Sequence, residues 1–211
     1  MHENSLIIGI AGRSCSGKST FAQELHKALG KNKSIHIDID KFLVNSADFN
    51  CKDPSTLESQ AIEELKTGLS QLKKGQKAVF PINNFYRKSK LNRPPKSYRS
   101  APTILVESTL TFWDKDIRDL IDIKVFIDVP DNICLERRLK RDLASKQKGT
   151  EEYETAKTRI LNRWKIISKQ WNTYLDPTKK YADIIIPYPE KGIKKVLDFI
   201  ANKIEAPPDG L

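Results

Sequence analysis

Leu6-Ile7-Ile8-Gly9-Ile10-Ala11-Gly12-Arg13-Ser14-Cys15-Ser16-Gly17-Lys18-Ser19-Thr20 begins as an apolar run and ends in the full pattern G-x-x-x-x-G-K-S. The two glycines let the backbone turn tightly, so that successive N–H groups point inward at a di- or triphosphate. Lys18 then reaches the outer phosphates and the Ser19 hydroxyl suits Mg²⁺. A helix that follows presents its positive N-terminal end to the same anions. Context separates this reading from an ordinary Gly/Ser-rich loop. Apolar residues precede the pattern, and Phe21, Leu25, Ala28 and Leu29 follow at helical spacing before Gly30. That is the strand, loop and helix a phosphate loop requires. Gly12 to Thr20 are therefore the expected phosphate contacts.

Working outward, apolar segments that read as buried parallel strands recur at 6–11, 35–39, 103–107, 123–129 and 183–187. Helical patterns alternate with them, at about 18–29, 56–73, 131–144, 150–174 and 191–204. This alternation predicts an α/β fold of the P-loop NTPase kind, with a five-stranded parallel sheet flanked by helices. Ligands of such sheets gather beyond the C-terminal strand ends. One domain is expected over residues 1–204, with 205–211 as a frayed tail. Residues 76–102 break the rhythm, with a short apolar strand at 77–82 and then a basic, proline-containing stretch. They read as an excursion where a substrate lobe could sit.

The chain has 211 residues, enough for one substantial core, with 37 basic residues against 27 acidic, a formal charge of +10. The charge favours anionic partners, among them nucleoside triphosphates. No zinc-finger, RNA-binding aromatic or basic-zipper pattern accompanies it, so nucleic acid is not an expected partner. Three widely spaced cysteines, Cys15, Cys51 and Cys134, read as reduced thiols. The three histidines have no zinc-ligand spacing. No long apolar run suits a membrane, and the apolar strand begins too early to follow a cleaved signal. A cytoplasmic enzyme acting on a small-molecule hydroxyl substrate is the expectation, with a homo-oligomer left open.

Other strand ends narrow the chemistry. Ile35-His36-Ile37-Asp38-Ile39 runs into Asp40-Lys41-Phe42, setting a carboxylate at the sheet edge near a γ-phosphate. Asp40 there suits a proton acceptor for an attacking hydroxyl or a partner for hydrated Mg²⁺. Asp38 is the alternative for that role. Ile104-Leu105-Val106-Glu107 closes a second apolar strand with a carboxylate fit for Mg²⁺. A basic helix follows, in which Arg138 and Arg141 lie three residues apart, so both can face one anion. Lys146 and Lys148 continue the charge into a segment at about 142–150 that reads as a lid, where mobile cations would neutralise a transferring phosphoryl group.

The chain resembles the uridine kinase and phosphoribulokinase family of P-loop kinases, most closely its uridine–cytidine kinase branch. The carrying residues are Gly9 to Gly12 with Ser16 to Thr20, Asp40-Lys41-Phe42, Val106-Glu107, Val125 to Asp128, Arg137 to Asp142, and Pro177 to Pro187. The resemblance implies phosphorylation of a primary hydroxyl by ATP (or GTP) with Mg²⁺. It puts Asp40 at the general-base position, Ser19 and Glu107 around the metal, and Arg138 and Arg141 at substrate and phosphate. Lys146 and Lys148 stand where the family usually carries arginines, keeping the charge but losing the bidentate fork.

Departures cluster in the expected substrate pocket, whose candidates are Asp40, Leu43, Asn83, Asn84, Phe85, Lys88 and Arg138. The family's Asp-Ser-Phe-Tyr is here Asp40-Lys41-Phe42-Leu43, without the final aromatic. Its Pro-x-Tyr-Asp-Phe and His-x-Arg are Pro81-Ile82-Asn83-Asn84-Phe85 and Lys88-Ser89-Lys90, and its Asp-His-Pro survives as Lys52-Asp53-Pro54. Uridine or cytidine is the first expected acceptor. Leu43, Asn83 and Lys88 prompt an alternative, another small alcohol such as nicotinamide riboside, pantothenate or a sugar phosphate. A third reading, a nucleotide- or RNA-binding regulator without chemistry, is motivated by the +10 charge and opposed by Asp40, Glu107 and Arg138.

Overall fold

The computed structural model describes residues 4–41, 59–80, 95–187 and 192–205. In chain order come β1 (Leu6–Gly12), α1 (Lys18–Leu29), β2 (Ser34–Asp38), a 3₁₀ turn (Ile39–Lys41), α2 (Ser59–Lys73), β3 (Ala78–Phe80), β4 (Lys96–Tyr98) and β5 (Thr103–Ser108). Then follow α3 (Lys115–Leu120), β6 (Ile123–Ile127), α4 (Asp131–Leu143), α5 (Glu151–Gln170), a π-helical turn (Trp171–Leu175), a 3₁₀ segment (Asp176–Tyr181), β7 (Ile184–Ile186) and α6 (Gly192–Glu205).

Every residue of β1 after Leu6 is buried, as befits a strand covered on both faces. It is the middle strand of a five-stranded sheet in the order β2-β5-β1-β6-β7, parallel at every pairing. Ile10 and Asp38 both lie opposite Glu107, one on each side of β5. The register thus brings the ends of β1, β2 and β5 level at one edge of the sheet. That edge is where the loop after Gly12 emerges. From α1, Phe21, Ala22 and Leu25 are buried against the sheet, and the start of α6 meets the same Phe21 ring.

The five expected strands appear within one or two residues of their anticipated ends. Among the α-helices and β-strands, α3 and β4 were not anticipated. α3 has six residues, too few to show a helical period, and is fixed by Asp114, whose carboxylate accepts from the Ile117 N–H at 2.9 Å. β4 is polar in sequence and exists because it pairs antiparallel with β3. That pair forms its own two-stranded sheet within the expected excursion. The helix expected to run to residue 174 gives way at Trp171 to a wider turn, where Trp164 and Trp171 meet edge to face at 4.9 Å. Among the described residues no helix is long and apolar enough to cross a membrane.

Candidate active site

The loop from Gly12 to Gly17 owes its shape to both glycines. A Cβ on Gly12 would sit 2.8 Å from the Ile127 carbonyl oxygen and 2.9 Å from Ser16 Oγ, so any side chain there would force the loop off the sheet. Gly17 has φ 95°, a left-handed conformation that favours glycine. It caps α1 with no side-chain hydrogen bond, and the first turn holds no acidic residue. The free N–H groups and the positive end of the dipole are left for an anion. Cys15 also takes a left-handed φ of 64°. Ser16 Oγ is buried without a hydrogen-bond partner, and the Ser16 carbonyl accepts from Arg137 Nη1 at 3.2 Å.

Beside the loop stand the strand-end acids. Ser19 Oγ donates to Glu107 Oε2 at 3.0 Å, tying the first turn of α1 to the end of β5. His36 Nε2 lies 3.4 Å from the other oxygen, Oε1, yet is not aligned to donate to it. That buried oxygen therefore has no hydrogen-bond partner. Burial works against ionisation of Glu107, but the His36 ring, the Lys18 ammonium and the Ser19 hydroxyl outweigh it and hold the carboxyl below its usual range. Asp40 shifts the other way. Burial, reinforced by Asp38 and Glu107, raises it despite Lys18 and the hydroxyl of Ser108. One carboxylate ionised and a second inclined to hold a proton share one lysine. Asp38 Oδ1 is used locally, accepting from the Asp40 N–H at 3.1 Å.

The basic side chains are more committed than their spacing suggested. Arg138 and Arg141 do converge on one anion, but that anion is Asp142, which accepts from both Nε atoms, at 2.8 Å for Arg141. Burial alone would raise the Asp142 carboxyl, and the two guanidiniums bring it below its usual range. Lys146 pairs with Glu152, and Lys148 is exposed. The Arg13 side chain, within the expected phosphate-contact run, is held by Asp131 and Asp176 at 2.9 and 2.6 Å. Ser14 is partly buried, and Thr20 is exposed on α1.

Residues 7–192 match the model of the phosphoribulokinase / uridine kinase family. The chain belongs to that family. It is 33% identical over 192 residues to uridine-cytidine kinase A of Dictyostelium discoideum, covering 88% of this chain and 36% of that protein's length. With the uridine kinase of Shewanella denitrificans it shares 31% over 202 residues, covering 88% of each. In fold it is similar to phosphoribulokinase from Rhodobacter spheroides, with a TM-score of 0.58, 18% identity, and coverage of 87% of this chain and 70% of that one.

Within this member of the phosphoribulokinase / uridine kinase family, the structure brings Lys18, Ser19, Asp40 and Glu107 together. Leu43, Asn83, Asn84, Phe85 and Lys88 lie outside the described residues, as do Cys51 and most of the expected tail. Sequence reasoning missed three contributors. Ser108 bonds Asp40, His36 approaches Glu107, and Arg137 bonds the loop carbonyl. His36 carried a signal, since it shares an alternation with Asp38 at the end of β2. Ser108 and Arg137 carried none beyond being next to Glu107 and Arg138.

Proposed function

We propose that this chain is an ATP- and Mg²⁺-dependent kinase that phosphorylates the primary hydroxyl of a small substrate, a nucleoside, with uridine or cytidine as first candidate. The observation that carries the reading is the convergence of Lys18, Ser19, Asp40 and Glu107 at the uncapped start of α1. The loop amides and Lys18 bind the β- and γ-phosphates and keep them in line with the acceptor. Asp40 orients the acceptor hydroxyl and takes its proton as the phosphoryl leaves. Arg138 and Arg141 are assigned to substrate and phosphate, reached by exchanging Asp142 for a phosphate oxygen, and Lys146 and Lys148 to the lid.

For Mg²⁺ the donor set fits. Ser19 Oγ and the Glu107 carboxylate are oxygen ligands of the kind a hard cation takes, one Glu107 oxygen is buried without a hydrogen bond, and Asp40 stands beside them. Held by Ser19 and Glu107, the ion would neutralise charge on the transferring phosphoryl group.

A second reading keeps the transfer and changes the acceptor. Leu43, Asn83, Asn84 and Lys88 depart from the resemblance where a pyrimidine would be read, which favours a different alcohol, including an anionic one. The test is incubation with MgATP and a panel of uridine, cytidine, nicotinamide riboside, pantothenate and sugar phosphates, with products weighed by mass spectrometry. Addition of one phosphoryl group to uridine or cytidine supports the first reading, and selective addition to another alcohol supports the second. Phosphorylation of none of them contradicts both.

A further inference from the structure

We propose that Arg13 is a positioning residue that fixes α4, and with it Arg138 and Arg141, in register with the phosphate loop. Its guanidinium spans two elements distant in sequence. Nη1 donates to Asp131 Oδ1 at 2.9 Å, on the first turn of α4, and Nη2 to Asp176 Oδ2 at 2.6 Å, with Asn172 Oδ1 at 3.5 Å. Trp171 lies under it, 5.8 Å from ring centroid to guanidinium carbon. The side chain is only 18% exposed. Asp131 is tied to α5 as well, accepting from Trp164 Nε1 and Ser168 Oγ at 3.0 and 3.1 Å.

A guanidinium flanked by two carboxylates has its charge more than offset and is poorly suited to meet phosphate. It is well suited to clamp. Its planar fork serves two acceptors at fixed angles, which a lysine cannot do. α4 is held to the loop a second time through Arg137 and the Ser16 carbonyl. Residues 131 and 137 lie about 9 Å apart along the helix axis, so two fixed points at that spacing set the helix direction. Arg138 is the residue after the second point. Removing Arg13 would also leave Asp131 and Asp176 as like charges sharing one site.

The inference rests on reading residues 12–19 as a triphosphate loop. Its test uses Arg13→Gln, Asp176→Asn and the double variant in the full chain. ATP affinity is read by calorimetry, and amide exchange with and without ATP over residues 12–19 and 131–143. In the unsubstituted chain ATP is expected to slow exchange in both segments. The two single variants should shift ATP affinity in the same direction, because each loosens the same clamp. Each should keep the ATP-dependent protection of 12–19 and lose most of that over 131–143, and the double variant should be no worse than either. Arg13→Lys should rescue only part, and it carries the test if Arg13→Gln fails to fold. Unchanged ATP-dependent protection of 131–143 in the single variants would overturn the inference. So would opposite effects on affinity, weaker in Arg13→Gln and tighter in Asp176→Asn, because these would mark the guanidinium as a phosphate ligand restrained by its partners. If ATP protects neither segment of the unsubstituted chain, the phosphate-loop reading fails and this inference falls with it.

Discussion

The Ser108 hydroxyl, at the end of β5, donates to Oδ1 of Asp40 in the turn after β2, while its oxygen accepts from the Leu110 N–H at 3.0 Å. One buried hydroxyl thereby fixes the direction of the proposed base across 68 residues of chain. It also opposes the rise that burial imposes on the Asp40 carboxyl.

That rise has a sign for stability. A carboxyl raised on folding contributes stability below its unfolded pKa of about 4, and this is lost as pH rises through the folded value. At neutral pH without metal, burying the Asp40 carboxyl therefore costs stability. Asp40→Asn should melt at a higher temperature than wild type at pH 7.5 in chelator, while transfer falls on the order of 10²- to 10⁴-fold. A lower melting temperature would contradict the burial argument. Turnover within a few-fold of wild type would contradict the base assignment.

Phe21 is 1% exposed and links α1 to the sheet and to the start of α6. Phe21→Ala should destabilise by about 3–5 kcal/mol, lowering the melting temperature by roughly 10 °C. Differential scanning calorimetry checks this, and a drop below roughly 3 °C would mean that the loop-bearing helix is held by something other than this contact.

Cys134 is fully buried on α4, and burial, with Cys15 nearby, pushes its thiol up to about 11. At pH 8 only about one molecule in a thousand carries the thiolate, the form that alkylates. Iodoacetamide at pH 8 should leave Cys134 unlabelled in the native protein and label it in guanidinium, as read by peptide mass. Labelling of the native thiol at the rate of a free cysteine would contradict the packing around α4.

Much of this was legible in the sequence. An unbroken apolar run before G-x-x-x-x-G-K-S means a strand buried on both faces, and parallel pairing around it follows from the alternation of strands with helices. Asp40 and Glu107 could be read because a carboxylate ending an apolar strand is conspicuous. Arg13 could not, since its acceptors Asp131 and Asp176 lie 118 and 163 residues away and only the folded chain brings them near. Asp142 taking up Arg138 and Arg141 was hidden for a different reason. Helical spacing shows which side chains share a face and is silent on which anion they meet. β4 has no apolar alternation of its own and depends on the edge that β3 offers.

The most direct measurement follows the label of γ-³²P-ATP with uridine and Mg²⁺, in wild type and in Lys18→Ala. Label is expected on the nucleoside with wild type. With Lys18→Ala, ATP binding should weaken and the transfer rate fall at least about a hundredfold, the scale set by removing one preorganised charge from a developing phosphoryl. Equal transfer and ATP affinity in the two proteins, or wild-type label that reaches no alcohol acceptor at all, would contradict phosphoryl transfer at the Gly12–Ser19 loop.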